Sequence, residues 1–152
     1  MTVTISYSTV PTALAALSSS DITIKDVDKI PVQGVELLCP IMFPDPSGWM
    51  DGITVTRETM GVGGAGKYDL TYNLHYIYLH SPAGGNISDL DNYNSMITKL
   101  GIISSLIVNN DQLGVDDVTI ESISALGYLE GPDGIVFNGC RITLGVLEFL
   151  EG

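Results

Sequence analysis

The chain has 152 residues, 45% of them hydrophobic, which is enough for one domain with a sizeable core. Eighteen acidic and six basic residues give a net charge of −12, which argues against nucleic-acid binding through a basic surface. Only 16% of the residues are charged, so much of the surface must be small, polar or apolar, and this favours buried protein–protein interfaces.

No targeting segment is predicted. The N-terminus, MTVTISYSTV, lacks the basic and apolar regions of a secretory signal. The apolar runs are interrupted well before the roughly 18 residues that a membrane span needs. We therefore expect neither export through a signal peptide nor membrane insertion.

The N-terminal part predicts one short helix and a connection. Thr9 can cap a helix over residues 9–18, Pro11 suits its first turn, and the Ala/Leu run that follows favours helix. Residues 22–34 contain Pro and Gly breaks and predict connecting chain.

Two strands separated by a dense turn are predicted next. The apolar run VELLCPIMF, residues 35–43, predicts a strand, and Pro40 places it at a sheet edge or a bulge. The turn PDPSGWMDG, residues 44–52, holds the single tryptophan, Trp49, which either folds back onto the core or anchors a partner. Residues 53–59, ITVTRET, alternate and are rich in β-branched residues, which favours a strand.

The clearest strand is YDLTYNLHYIYL, residues 68–79. Its period of two predicts one apolar face, and His75 belongs to the opposite, polar face. The residues expected on the apolar face are Tyr68, Leu70, Tyr72, Leu74, Tyr76 and Tyr78.

A long helix and a closing pair of strands complete the chain. Apolar residues at spacings of three and four predict a helix over residues 88–108. Residues 115–127 and 135–150 predict two long strands, joined by the turn GPDG at 131–134. The helix residues expected to face the core are Leu90, Tyr93, Ile97, Leu100, Ile103 and Ile107, and those of the last strand are Val136, Cys140, Ile142, Leu144, Val146 and Leu150.

These elements predict an α+β fold in a single domain, residues 1–152. A mostly antiparallel β-sheet is expected, with the long helix packed on one face and a short N-terminal helix. Strands outnumber helices, and at least two of the links are hairpin-like.

The stretch GVGGAGK, residues 61–67, matches most of the phosphate-binding pattern G-x-x-x-x-G-K and, in its first six residues, the dinucleotide pattern G-x-G-x-x-G. Both patterns need a helix directly afterwards, whereas the residues that follow alternate as a strand does. Tyr68 also stands where a magnesium-binding hydroxyl would be. We therefore expect a glycine-rich loop between two antiparallel strands, free to order against a partner.

Other candidate chemistry is sparse. His75 and His80 are the only histidines, and their spacing does not match common metal sites. Asp89 and Asp91 fit a helix N-terminus better than a calcium loop. Two distant cysteines predict buried free thiols rather than a disulfide. We predict no catalytic, cofactor-binding or metal-binding residues, and a structural or interaction protein rather than an enzyme.

The layout of the second half resembles a known family. The strand KYDLTYNLHYIYLH is followed by the helix NISDLDNYNSMITKLGIISSLI, a strand that ends in GY, a tight turn, and the final strand GCRITLGVLEF. This order is similar to that of the tail terminator and tail-completion (head–tail joining) proteins of long-tailed bacteriophages. The resemblance covers most of residues 10–150 and is clearest over 66–150.

The resemblance implies a virion structural protein at the neck, assembled in the host cytoplasm. It implies a homo-oligomeric ring, usually a hexamer, that caps the tail tube, stops its polymerisation and offers its other face to the head connector. DNA would pass through an acidic lumen without being bound. The loop expected to meet the tube or a neighbouring subunit consists of Met60, Gly61, Val62, Gly63, Gly64, Ala65, Gly66 and Lys67.

Three alternatives stay open from the sequence. Head-closure and adaptor proteins of the same joint share this size and layout. A nucleotide-binding domain that uses the Gly61–Lys67 loop is a second alternative, and a host adaptor or inhibitor is a third.

Overall fold

One six-stranded sheet and two α-helices make up this computed structural model, which describes residues 3–32, 38–57, 66–83 and 89–151. The fold is therefore mixed, with helices and strands in one chain. The elements in chain order are α1 (Thr9–Ala15), β1 (Thr23–Ile24), β2 (Ile41–Pro44), β3 (Met50–Arg57), β4 (Lys67–Pro82), α2 (Asp89–Asn109), β5 (Asp117–Glu130) and β6 (Val136–Glu151).

The sheet is mostly antiparallel, as the sequence predicts. Its strand order is β1-β2-β4-β6-β5, and β3 pairs with β4 on the side where β2 lies. The longest pairing joins β4 to β6, from Lys67 opposite Glu151 to Pro82 opposite Phe137. Among the strands that the structure describes, only β1 and β2 run parallel. The predicted strands at 53–59, 68–79, 115–127 and 135–150 correspond to β3, β4, β5 and β6.

The N-terminal third differs most from the prediction. The connecting chain predicted at 22–34 contains the two-residue strand β1, and the strand predicted at 35–43 is a strand only from Ile41 onward. Residues 33–37 of that prediction lie outside the described residues. Pro40 has no N–H to donate to a neighbouring strand, which agrees with β2 beginning just after it.

The first helix is also shorter than predicted. It ends at Ala15. Ser8 occupies the cap position expected of Thr9, and its side chain makes no capping hydrogen bond. The Ser18 hydroxyl accepts a hydrogen bond from the Ile24 N–H at 2.8 Å. This bond draws the chain towards β1, because serine hydroxyls compete with helix continuation in this way.

The main core is built by the predicted alternation of β4 and β6. Buried side chains of both strands form one cluster with residues of α1 and α2. Each such side chain contributes about 1.5–3 kcal/mol on burial. The members from β4 and β6 are Leu70, Tyr72, Leu74, Tyr76, Tyr78, Cys140, Ile142, Leu144, Val146 and Leu150. Val136, predicted among them, is exposed.

α2 contributes Met96, Leu100, Ile103 and Ile107 to the same cluster. The prediction for Ile97 was wrong: its side chain is 60% exposed, and Met96 beside it is fully buried. The residues that face the core are set by where the helix packs, and the adjacent apolar residues Met96 and Ile97 leave that choice open in the sequence. No helix in the described part of the chain is long and apolar enough to cross a membrane.

A second, smaller apolar cluster uses the other side chains of β4. Near the end of that strand both faces are buried, which the alternation alone does not predict. Its members are Ile41, Phe43, Ile77, Leu79, Leu129 and Phe137. The middle of the same face carries polar side chains instead, as far as the described residues show.

Candidate functional site

The predicted interaction loop lies largely outside the described residues. Met60, Gly61, Val62, Gly63, Gly64 and Ala65 are not described. Gly66 is in a turn with φ of 82°, a left-handed conformation that glycine adopts at little cost. Lys67 follows as the exposed first residue of β4, opposite Glu151.

From Lys67 onward the chain forms a strand of 16 residues. Both phosphate-binding patterns place a helix N-terminus at this point, because its free N–H groups hold the phosphate. The strand leaves no such N-terminus after this loop, so the geometry here does not match either pattern.

Trp49 directly precedes β3, and backbone hydrogen bonds fix its position. The His75 N–H donates to the Trp49 carbonyl at 2.8 Å, and the Asp45 N–H donates to the His75 carbonyl at 2.9 Å. Within the turn, the Ser47 N–H and hydroxyl both donate to Asp45 Oδ1, at 2.9 and 2.7 Å. The Trp49 side chain is 37% exposed, which leaves part of its ring available to a partner.

β3 itself is the most exposed long strand. Seven of its eight residues are exposed, among them the apolar Ile53 and Val55. A bulge interrupts its pairing with β4 between Asp51 and Thr54, where Gly52 has a φ of 64°. Its last described residue, Arg57, is one of the six basic residues of the chain and pairs with Tyr68.

A line of three polar side chains ties β3 to the centre of the sheet. His75 Nε2 lies 2.8 Å from Asp51 Oδ1, and His75 Nδ1 lies 3.1 Å from Thr143 Oγ1. The three residues belong to β3, β4 and β6. The hydrogen bond from His75 lowers the pKa of the Asp51 carboxyl. With both ring nitrogens engaged, His75 bridges three strands on an exposed face.

His80, the other histidine, has different surroundings from those of His75. It lies at the β4 bulge between Leu79 and Ser81, and its Nδ1 is 2.7 Å from the Tyr78 hydroxyl. Burial lowers its pKa, and the nearby positive charge of Lys99 adds to the effect. Among the described residues no group of three or more His, Cys, Asp or Glu side chains is placed to hold a metal ion.

Two shallow depressions lie on the sheet. One, of about 280 Å³, is next to the His75 line and is lined by polar side chains, including Asn73, Thr119 and Glu121. The other, of about 510 Å³, lies near the second apolar cluster, where Arg141 Nη1 and Asp45 Oδ2 are 2.6 Å apart. In the second depression the Asp45 carboxylate is engaged on both oxygens, by Ser47 and by Arg141, so these three side chains are tied to one another.

Both cysteines are free in the structure. Cys140 is buried in β6, as predicted, and burial raises its pKa to about 12. Cys39 is only half-buried and precedes β2 rather than lying within a strand, so that part of the prediction was wrong. Burial raises the pKa of Cys39 to about 11, so neither thiol has the character of a nucleophile at neutral pH.

Charge is distributed unevenly between the two edges of the sheet. Arg57 and Lys67 occupy one end of the β3–β4 pair, and neither forms an ion pair with another described residue. At the start of β5, on the opposite edge, Asp116 and Asp117 follow one another. The sequence predictions missed Arg57, although a basic residue within an alternating strand of so acidic a chain was a signal that could have singled it out.

Comparisons with known proteins add no relatives. No protein-family model matches the chain, and a search of curated proteins finds no match.

Proposed function

We propose that the chain is a virion structural protein, a subunit of a ring that caps the tail tube of a long-tailed bacteriophage. The ring, a hexamer by the family resemblance, would stop tube polymerisation and offer its other face to the head connector. The observation that carries the proposal is the order of elements: a pair of long antiparallel strands, a helix of 21 residues and a closing pair of strands.

The surface supports the same proposal. Large apolar side chains are exposed on strands and helix alike, including Val55 on β3, Ile97 on α2 and Phe149 on β6. The net charge is −12, but few residues are charged overall. Exposed apolar side chains on such a surface tend to aggregate unless partner proteins cover them. Subunit contacts in a closed ring would provide that cover on two different faces of each copy.

We also propose that α2 covers one face of the sheet, as in the family. Its four buried residues share the main core cluster with alternate residues of β4 and β6. In the proposed ring, the Met60–Lys67 loop, at the end of β3 and β4, would meet the tube or the neighbouring subunit. Trp49 is proposed as a partner anchor at the other end of β3.

The direct test is the mass and shape of the purified protein. Size-exclusion chromatography with light scattering should give one defined oligomer, and negative-stain micrographs should show rings with a central hole. Added to the polymerising tube protein of the same phage, the rings should limit tube length. Replacing Gly63 and Gly64 with phenylalanine should impair capping, whereas Gly101→Phe, at an exposed position of α2 with free space around the Cα, should not.

Three outcomes would contradict the proposed capping function or favour an alternative. A protein that stays monomeric at high concentration, with and without tube protein, would refute the ring. Rings that bind the head connector but leave tube length unchanged would indicate a head-closure or adaptor protein. A rise in melting temperature with ATP, GTP or NAD would support the nucleotide-binding alternative, because ligand at 100 times its Kd adds about 2.7 kcal/mol of stability.

A further inference from the structure

The helix α2 presents large apolar side chains on two sides, and the fold covers one of them. Its covered side contributes Met96, Leu100 and Ile103 to the main core cluster. On the other side, Ile97 and Val108 are 60% and 62% exposed, although isoleucine and valine are among the residues most often fully buried in folded proteins. This second side of α2 is therefore a candidate contact surface.

The exposed side chains have the spacing of a helix-pairing seam. Positions 94, 97, 101, 104 and 108 follow one another at intervals of three and four, so their side chains lie in one line along the helix. This line, the α2 seam, consists of Asn94, Ile97, Gly101, Ser104 and Val108. Its centre is small and its flanks are large and apolar, which lets a second helix come close at the middle.

The subunit itself gives no reason for a glycine at position 101. A Cβ added to Gly101 would meet no other part of the described chain within 4 Å. A glycine inside a helix destabilises it relative to alanine. Because the space beside Gly101 is empty within the subunit, its small size favours close contact with a helix from outside.

The exposed side of α2 is uncharged. Over residues 93–109, where the side chains of the helix are described, the one charged residue is Lys99, which is half-buried and lies 3.3 Å from Asp21. A basic partner would be bound by an acidic surface. Two copies of this chain, each with a charge of −12, repel each other least where neither presents a carboxylate. The uncharged side therefore favours a second copy as the occupant.

The α2 seam is complementary to itself when two helices run antiparallel. A two-fold axis at the middle of the seam brings Gly101 of one copy opposite Ser104 of the other. The same axis brings Ile97 opposite Val108 at both ends of the contact. Sliding one helix by two turns would instead place Ile97 opposite Gly101, so small meets small and large meets large in the first register.

A polar side chain beside the seam is already satisfied within the helix. The Thr98 hydroxyl donates to the Asn94 carbonyl at 3.0 Å. A hydroxyl that has a hydrogen-bond partner can be covered without the cost of an unpaired polar group. The flank formed by Thr98 therefore does not oppose burial of the seam.

We propose that two copies of this chain pair through the α2 seam, with the two helices antiparallel across a two-fold axis. The pair goes beyond the ring proposed above and does not depend on it, because a ring closes through two different faces of each subunit. Val55 and Phe149, exposed on β3 and β6, stay available for ring contacts. Where ring contacts also form, the pairs join two rings; where they do not, the pair is a dimer. In either case, loss of the pair halves the molecular mass.

A matched pair of isoleucine substitutions tests the seam. Ile97→Ser should weaken association about tenfold or more, and light scattering should then give half the mass of the unaltered protein at the same concentration. Ile102→Ser is the control. Ile102 is 39% exposed on the same helix but lies well to the side of the seam, since each residue turns the helix by about 100°. The Ile102→Ser protein should keep the full mass.

Gly101→Gln separates pairing from folding. Glutamine is a better helix former than glycine and has room within the subunit, so the urea midpoint in dilute solution should not fall. Its side chain would hold the two helices apart, so association should weaken about tenfold or more. Ser95→Gln, at an exposed position of α2 away from the seam, is the matched control and should associate as the unaltered protein does.

Cysteine cross-linking gives the direction of the pair. A mixture of Ile97→Cys copies and Val108→Cys copies should form disulfide-linked dimers under mild oxidation, whereas each variant alone should link much less. Efficient linking of Ile97→Cys to itself would indicate parallel helices and overturn the antiparallel pair. The unaltered protein, whose Cys39 and Cys140 are free, gives the background.

The salt dependence distinguishes a second copy from a basic partner. Pairing should strengthen as the NaCl concentration rises, because salt screens the repulsion between two chains that each carry −12. Association that weakens with salt would show that opposite charges hold the complex and would contradict the seam.

The outcomes separate the pair from the ring. An unaltered protein with the mass of a single ring, unchanged by Ile97→Ser and by Gly101→Gln, would overturn the pair and leave the ring intact. A mass that is halved by both substitutions and kept by both controls would support the pair. An unaltered protein that stays monomeric at high concentration, with and without tube protein, would overturn both.

Discussion

β3 and β4 are neighbours in the same antiparallel pair, yet they have opposite surroundings. β4 has residues buried in both apolar clusters, whereas seven of the eight residues of β3 are exposed. Because hydrophobic burial is the main favourable term in folding, the stability of the domain depends on β4 and its partner β6. β3 adds little to the core and presents its backbone, two apolar side chains and Arg57 to the outside.

If the chain assembles as proposed, this contrast assigns stability to the central strands and partner contacts to the exposed ones. Substitutions in the central pair should unfold the subunit, and substitutions at the edge should leave a folded subunit that assembles poorly. The two properties can therefore be measured separately, and each comparison below pairs a more buried position with a more exposed one.

The largest effect is expected from Leu74→Ala on β4. Leu74 is fully buried, so the substitution should lower the free energy of unfolding by about 2–5 kcal/mol through lost burial and a residual cavity. The matched change Val55→Ala, at a side chain 45% exposed on β3, should cost no more than about 0.5 kcal/mol. Urea denaturation followed by circular dichroism measures both, and equal losses would contradict the division between the strands.

An intermediate effect is expected at the ion pairs. Asp45 is 7% exposed and holds both Arg141 and the Ser47 turn, so Asp45→Ala should cost about 1–3 kcal/mol by leaving these donors unpaired. Asp21, which meets Lys99 at 3.3 Å near the surface, should lose at most about 1 kcal/mol in Asp21→Ala because exposed pairs are weak. Thermal unfolding of the two variants side by side gives the comparison, and a smaller loss for Asp45→Ala would refute it.

The smallest effect is a pH dependence at the far end of β4. The pKa of His80 is lowered by burial and by Lys99, so the unfolded chain takes up this proton first as the pH falls. The contribution of His80 therefore reduces stability as the pH drops below about 6.5, the usual value for histidine. Asp51, whose pKa is lowered, loses its stabilising contribution only below about pH 4.

Urea midpoints at pH 7.5 and pH 5 should reveal the His80 contribution. The midpoint of the unaltered protein should be lower at pH 5 than at pH 7.5, and that of His80→Gln should decrease less. An identical decrease in both proteins would show that His80 is not responsible.

The sequence predicts the long strands well because their apolar residues alternate over many positions. The apolar face of β4, from Leu70 to Tyr78, follows directly from that period. β1 has only two residues, too few to show a period, and its pairing with β2 depends on contacts distant in sequence. The second cluster escaped prediction for a related reason: Ile77 and Leu79 are buried by Phe43 and Phe137, which arrive from other parts of the chain.

The candidate site was predicted only in outline. The glycine-rich pattern led to residues 61–66 as the predicted interaction loop. The neighbouring features whose geometry is described are the exposed strand β3 and the charged residue at its end, Arg57. Single residues such as Arg57 acquire meaning only from the edge on which they lie. An edge becomes recognisable when the strand order is known, and no local pattern encodes that order.

The bulges in β3 and β5 have a consequence for selectivity. A kinked edge is a poor template for an ordinary straight strand, because the ladder of hydrogen bonds fails at the extra residue. Only a strand with a kink of its own at the corresponding position pairs on both sides of the irregularity. The kinks in β3 and β5 therefore discourage pairing with unrelated straight strands and protect these edges from non-specific aggregation.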